Sequence, residues 1–373
     1  MNIILFFTYG ISLLDWKNTG LLDRELKFYE KLNQKYAIST TLITYGDSKD
    51  LNIIKEKDYI KVIPVYSLIK YDRNKYLRFI RTFILPIKLR ETIHSAKILK
   101  TNQLLGSWVA ILSKFIYKKP LIVRTGYDLL TFSIKNNKKK FKVVFYKYLT
   151  KSALKYSDIY LVTSNADKEN LNKLFSKYRM KIKVRPNWVK INEIKKFDER
   201  FNNKIISVGR LENQKNYSFL INKLKMSNFI LDIYGEGSQK KDLILLSKKL
   251  ELKLNIFERI DNNHLIKKLS DYKIFISSSN FEGNPKAILE AMAAGCVVLA
   301  KENDNISEII ENNKNGIIYN VDTSLVPLIN ELFHDPSEWG RISRNAINSV
   351  KENNSLLKVL DAEYFDYRNL DRP

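Results

Sequence analysis

The feature that most constrains this chain is an alternation of short apolar runs with longer helical patterns, which runs through the first half and then restarts. In the first half the expected strands are Asn2–Phe7, Ile38–Thr44, Ile60–Pro64, Ala96–Lys100, Leu121–Arg124 and Ile159–Thr163. Helical patterns such as Leu21–Leu32 and Gly106–Ile116 lie between them. After Pro186-Asn187 the expected strands are Lys204–Val208, Ile230–Tyr234, Leu252–Phe257, Ile274–Ser277, Val297–Ala300 and Gly316–Tyr319. Helices are expected to start near Asn216, Ser238, Asn262, Pro285 and Ile306. Strand–helix alternation of this kind gives parallel sheets covered on both faces. The fold class is therefore α/β, with two doubly wound parallel-sheet domains, and 373 residues suit two domains. The expected boundaries are 1–190 and 191–345, with a linker at Lys183–Asp198. A helical tail at 346–373, rich in acid and tyrosine (DAEYFDYRNLD), is expected to pack back on the first domain. Ligands of such sheets bind outside the carboxyl ends of the strands, so the active site is expected in a cleft between the domains.

The charge is one-sided. Residues 51–200 hold 35 basic and 11 acidic residues, and the rest of the chain balances, so the formal net charge of +24 lies in this stretch. An excess confined to one region argues for an anionic partner, either nucleic acid or anionic lipid. Residues 67–93 and 132–157 interleave Lys and Arg with Leu, Ile, Phe and Tyr, the composition of an interfacial helix. The competing reading of each segment is an ordinary amphipathic helix with a solvated basic face.

Several function classes are excluded by composition. One cysteine, Cys296, rules out a disulfide framework or a cysteine metal cluster. His94, His264 and His334 are too scattered for a histidine metal site and read as surface or helix-packing residues. No apolar run approaches the roughly 20 residues that span a bilayer, and the start MNIILFFTYG lacks a basic n-region, so a cytoplasmic protein is expected. No GxGxxG follows a strand and opens a helix, which weighs against a dinucleotide-dependent oxidoreductase.

The string FEGNPKAILEAMAAGCVVLA, residues 281–300, carries the clearest chemistry. A strand ending in Ser277-Ser278-Ser279 leads to Glu282, the turn Gly283-Asn284-Pro285 follows, and a helix opens with Glu290 about one and a half turns in. The N–H groups of a helix start suit a diphosphate or sugar hydroxyl. Gly283 permits close backbone approach. Glu290 could accept two hydrogen bonds from a ribose diol. The bland alternative is a buried helix start with an acid complementing its dipole.

This string resembles the E-x7-E motif of GT-B glycosyltransferases, specifically family 4, through Glu282 and Glu290 with EAMAAG following. The resemblance covers residues 203–333 in motifs and the first 190 in architecture. It implies a GT-B fold of two Rossmann-like domains facing across a cleft, and a retaining transferase with no cofactor. The donor would be a nucleotide-diphosphate sugar, UDP- or GDP-linked. ISVGRLENQKN, residues 206–216, resembles the element that holds the donor diphosphate. It implies Arg210 and Lys215 as phosphate ligands, with Gly209 beside them, and with Glu282 these are the implied catalytic residues. Arg forks onto phosphate oxygens, and both cations favour a departing diphosphate. Gly235 and Gly237, in LDIYGEGSQKKDL, are expected to shape a turn near the nucleotide. The resemblance adds Gly20, Gly283, Asn284, Pro285, Lys286 and Glu290 on the donor side. NIFERID, residues 255–261, stands where the family's backbone reads the base. No Asp-x-Asp occurs, so no metal is expected.

The family's cleft histidine is absent after Leu121–Arg124. Arg124, Thr125 and Asp128 are acceptor-side candidates in its place, with Asn102, Gln103 and Trp108 after the preceding strand. The expected acceptor is a membrane-associated glycan or lipid-linked molecule in bacterial polysaccharide or glycolipid synthesis. The protein would then sit on the inner face of the cytoplasmic membrane. The alternatives are a GT-B enzyme with a soluble acceptor, a sugar-nucleotide epimerase, and a basic nucleic-acid binder. The last lacks any recognisable binding motif, and no nucleic acid is expected as a partner.

Overall fold

Thirteen strands form among the described residues, which in this computed structural model are all but 55, 56, 127, 137, 192, 193, 372 and 373. The first sheet contains β1 (Asn2–Phe6), β2 (Ser39–Thr44), β3 (Ile60–Pro64), β4 (Ile98–Thr101), β5 (Leu121–Arg124), β6 (Ile159–Val162) and β7 (Ile182–Val184). Its order is β3-β2-β1-β4-β5-β6-β7, with every pair parallel. The second contains β8 (Phe201–Val208), β9 (Ile230–Tyr234), β10 (Lys253–Phe257), β11 (Tyr272–Ser277), β12 (Val297–Lys301) and β13 (Ile317–Tyr319). Its order is β10-β9-β8-β11-β12-β13, again all parallel. Ile3, Ile4 and Leu5 are fully buried, as are Ile274, Ile276, Val297 and Val298, so these central strands are apolar on both faces. In each sheet the winding direction reverses once, between β1 and β4 and between β8 and β11. The crevice at such a reversal is where α/β sheets bind ligands.

The chain divides into two units, Met1–Arg185 with Val359–Pro373, and Pro186–Lys358. The expected tail of 346–373 is thus split. Ala346 and Val350, on the helix Pro336–Asn353, are buried in one core with Ile288, Met292 and Phe275 of the second unit. The portion that joins the first unit starts at Val359. There the helix Leu356–Leu370 brings its acids to basic residues of the first unit. Asp361 pairs with Lys35 at 2.6 Å, Asp366 with Lys183 at 2.7 Å and with Arg185, and Glu363 with Lys100. Tyr364 stacks on Tyr36 with ring centroids 3.7 Å apart.

Other differences from the sequence reading are local. Strand β7 overlaps the start of the region read as linker: three residues in a basic run give no periodicity to detect. No helix opens at Ile306, and residues 304–309 are turns. The Asn315 side chain accepts from the Glu311 N–H at 2.8 Å and donates to the Ile309 carbonyl at 3.2 Å, which replaces a helical ladder with a local loop. The helix after Glu282 is Lys286–Ala293, with Pro285 as its cap rather than its first residue.

Candidate active site

The second unit gathers its polar residues where β8 and β11 end. β8 runs into a loop, residues 209–216, and β11 into a second, residues 278–285. Several hydrogen bonds join the two loops. The Asn280 N–H donates to the Gln214 carbonyl at 2.9 Å, and the Gln214 side-chain amide donates to the Phe281 carbonyl at 3.0 Å. The Ser278 hydroxyl donates to the Lys215 carbonyl at 2.8 Å, and the Asn216 amide to Asn280 Oδ1 at 3.0 Å. This brings Lys215 Nζ within 2.5 Å of Glu282 Oε1, with side chains 18% and 8% exposed. Arg210 is exposed beside them, its guanidinium 3.3 Å from Gln214 Oε1. Two cations, a buried carboxylate and the start of Lys286–Ala293 are thus held on two loops that flank the winding reversal.

Glu290 lies in the second turn of that helix and is buried. It accepts a 2.7 Å hydrogen bond from Asn262 Nδ2, at the head of the helix Asn262–Leu269. The sequence reading missed Asn262. The available signal was its place just after the capping Asp261, which fixes it at a strand-to-helix turn. It also missed Gln214, Ser278 and Asn280, whose hydrogen bonds zip the loops together.

The glycines act on the backbone. A side chain on Gly235 would run into the Gly209 carbonyl, and one on Gly237 into the Leu211 carbonyl. A Cβ on Gly209 would come 2.9 Å from Lys215 Cε. These three glycines let the β8 and β9 end-loops pack backbone to backbone and leave a path for the Lys215 stem. Gly235→Ala should therefore misplace the 209–216 loop and lower the melting temperature. Thermal unfolding checks this, and an unchanged melting temperature would show that the loops tolerate separation. Asn284 Oδ1 is committed to the Asn187 N–H at 2.9 Å, so its carbonyl fixes the loop to the preceding segment. The Lys286 ammonium stands 5.2 Å from the centre of the Trp188 ring. Gly283 is buried between Glu282 and Asn284.

In the first unit, several candidates have internal roles. Asp128 caps the helix Leu129–Lys135, accepting from the Leu130 N–H at 3.1 Å and the Thr131 hydroxyl at 2.5 Å. Burial pushes its carboxyl above the usual range. The buried Thr125 hydroxyl donates to the Leu161 carbonyl at 3.1 Å. Arg124 lies by the buried acid of the C-terminal helix, where its charge helps to keep Glu363 ionised. Gln103 Oε1 accepts from the Gly126 N–H at 2.9 Å. Trp108 donates its indole N–H to Thr82 Oγ1 at 2.9 Å. Asn102 is half-buried after β4, its N–H donating to the Phe6 carbonyl at 2.9 Å. Gly20, at φ +64°, ends the helix Leu13–Asn18 with the Leu21 N–H bonded to the Trp16 carbonyl at 2.8 Å. That is a helix-terminating turn in which glycine carries no strain.

Cys296 is buried and donates to the Leu269 carbonyl at 3.1 Å. Burial pushes its thiol up to about 11, so it has no thiolate character at neutral pH. His264 is exposed and bonded to Asp261, the cap of its own helix.

Two parallel sheets of seven and six strands, each with one winding reversal, define the GT-B architecture. The chain is a glycosyltransferase of the hexosyl-transferring kind. Its residues 190–349 match the family described as Glycosyl transferases group 1. Over 341 residues it is 28% identical to the UDP-Gal:alpha-D-GlcNAc-diphosphoundecaprenol alpha-1,3-galactosyltransferase of Escherichia coli, covering 83% of this chain and 79% of the relative. Over 266 residues it is 26% identical to the N-acetylgalactosamine-N,N'-diacetylbacillosaminyl-diphospho-undecaprenol 4-alpha-N-acetylgalactosaminyltransferase of Campylobacter jejuni, covering 68% and 71%. The sucrose-phosphate synthase of Thermosynechococcus elongatus shares the fold with a TM-score of 0.79 at 15% identity, over 99% of both chains.

Proposed function

We propose that this enzyme transfers a hexose, with retention of configuration, from a nucleotide-diphosphate sugar to a lipid-linked or glycan acceptor. Its place would be the inner face of the cytoplasmic membrane, in the synthesis of a cell-surface polysaccharide or glycolipid. The observation that carries the reading is the Lys215–Glu282 pair and Arg210 on the loops after β8 and β11, with the buried Glu290 on the helix that follows. Arg210 and Lys215 take the donor diphosphate, Glu282 the sugar hydroxyls, and Glu290 the ribose diol. Without donor, Glu282 neutralises Lys215. A diphosphate arriving beside Lys215 shares that cation and leaves the carboxylate able to accept from hydroxyl groups. In the transfer, the bond from the anomeric carbon to the diphosphate oxygen breaks and a bond to the acceptor oxygen forms on the same face. The acceptor proton passes to the leaving phosphate, so no protein base is needed. Relatives whose names specify diphosphoundecaprenol acceptors support the acceptor class.

Two outcomes check this reading. Glu290→Ala should weaken donor binding in calorimetry by about 1–3 kcal/mol, the worth of lost hydrogen bonds to a charged group. Unchanged affinity would remove Glu290 from the site. Turnover should persist in EDTA, because the two cations supply the charge that would otherwise come from a metal ion. A strict requirement for Mg²⁺ would contradict that division of labour.

A further inference from the structure

Two helices of the first unit leave their apolar side chains in water. The helix Lys75–Arg81 buries no residue. Tyr76, Leu77 and Ile80 are exposed on it, and Phe83, Ile84 and Ile87 continue the patch. The buried residues of the helix Lys140–Tyr156, Leu149, Thr150, Ala153 and Leu154, all lie in its second half. Its first half carries Phe141, Val144, Phe145 and Tyr148, at the spacing of one helical stripe, and Phe141 and Tyr148 are 65% and 68% exposed. An amphipathic helix that packs on a core turns such a stripe inward. Here the stripe is outward, which marks an interaction surface.

The topology places both patches at one end of the sheet. The helices Ser107–Tyr117 and Lys140–Tyr156 each follow a strand's carboxyl end and return to the start of the next parallel strand. The Phe115 and Tyr156 rings meet at 4.8 Å, so the far ends of these two helices lie together. At 1.5 Å per residue, Phe141 stands about 22 Å ahead of Tyr156, and Ser107 about 12 Å ahead of Phe115. The helix Lys140–Tyr156 therefore reaches about 10 Å further toward the carboxyl side. Phe79 packs on Trp108, with ring centroids 5.0 Å apart, which ties the helix Lys75–Arg81 to that same end. Asn102 and Gln103 follow β4 there as well.

The charge on both patches is of one sign. No acid occurs between Asp128 and Asp158, while Lys138, Lys139, Lys140, Lys142 and Lys147 surround the stripe and are exposed. Residues 70–90 hold seven basic residues and one acid, Asp72, which pairs with Arg81 at 3.0 Å.

We propose that these overhanging helices form a rim that docks on an anionic lipid bilayer. Phe141, Val144, Phe145 and Tyr148, with Tyr76, Leu77 and Ile80, enter the boundary between head groups and acyl chains, and the neighbouring cations hold lipid phosphates. A second copy of the chain would set like charges against each other, and nucleic acid has no use for the aliphatic side chains. The carboxyl ends of the first sheet then face the leaflet, and, on the reading of the acceptor given above, a lipid-linked acceptor meets them without leaving the membrane.

The test is sedimentation of the full-length protein with phosphatidylcholine vesicles, with and without phosphatidylglycerol, over a range of salt. The wild type should bind the anionic vesicles at low salt and lose most of that binding as salt rises. The triple variant F141S/F145S/Y148S and the double variant L77S/I80S should each lower vesicle affinity about tenfold or more, since each buried methylene counts. Replacing Lys138, Lys139 and Lys140 by Ser should flatten the salt dependence. Donor affinity and melting temperature should stay at wild-type values in all three. Absent binding to anionic vesicles, equal binding to neutral ones, or unaltered binding by the apolar variants would overturn the rim. So would a dimer in solution that the same variants dissociate. If vesicles bind as described but only water-soluble acceptors are glycosylated, the rim stands and the lipid-linked acceptor falls.

Discussion

Replacing Glu363 by alanine should destabilise the first unit by about 3–5 kcal/mol, the usual consequence of removing one partner from a buried ion pair. Lys100, in the middle of β4, is 1% exposed and Glu363 2% exposed. The Tyr367 hydroxyl donates to Glu363 at 2.6 Å, and the Lys100 ammonium donates to that hydroxyl at 3.1 Å. Burial alone would push the Glu363 carboxyl up. The charges of Lys100 and Arg124, with the hydrogen bonds, outweigh it and hold the group below the ordinary carboxylate range. Alanine would leave the lysine's charge buried without an anion. A double variant with apolar residues of similar size at both positions should recover most of the loss, because the pair as a whole offsets a large desolvation term. Denaturant unfolding of the two variants measures both. Equal destabilisation by the single and double changes would show that shape, not charge, holds the helix. The pH dependence follows in sign. A carboxylate depressed in the folded state contributes stability above its unfolded pKa and loses it as pH falls through the folded value. The wild type should therefore lose this contribution on the acid side, and Glu363→Gln should lose less there.

Arg210→Ala and Lys215→Ala should each lower kcat by about 10²–10³-fold and weaken donor binding far less. Charge on the diphosphate grows as the sugar departs, so a cation placed on it contributes more in the transition state than in the ground state. Lys215→Ala also leaves the buried Glu282 without its cation. Comparing it with Glu282→Gln alone and with the Lys215→Ala, Glu282→Gln double variant separates the two effects. If the double variant recovers donor binding but not kcat, Lys215 acts on the leaving group. Turnover intact at saturating donor, with binding lost, would make both cations simple anchors.

Much of this architecture is legible in the sequence, because parallel strands buried on both faces are continuous apolar runs. Twelve of the strands lie on runs such as Ile3–Phe6 and Val297–Ala300 that need no alignment to see. β7 is not legible, since Ile182–Val184 is too short and too basic to show a period. The turns at 304–309 are hidden for another reason: Ile306, Ile309 and Ile310 have helical spacing, while the Asn315 side chain takes up the Glu311 N–H and the Ile309 carbonyl. At the site, residue types in a motif can be read, but their partners cannot. Nothing in the sequence joins Glu290 to Asn262, 28 positions away, or Lys215 to Glu282, 67 away. The same holds for Asp128. Its position after a strand suits a cleft residue, whereas its two hydrogen bonds make it a helix cap. The acid and tyrosine at the end of the chain are visible as composition, but nothing in the short strand Ile98–Thr101 marks its lysine as the buried partner of Glu363.

The most direct test of the central claim is release of nucleoside diphosphate from a panel of UDP- and GDP-sugars by the wild type, beside Lys215→Ala and Glu290→Ala. The site described here predicts slow hydrolysis of at least one donor without acceptor, abolished by Lys215→Ala and shifted to higher donor concentration by Glu290→Ala. Hydrolysis that neither substitution alters, or a panel from which no donor is bound or cleaved, would contradict it.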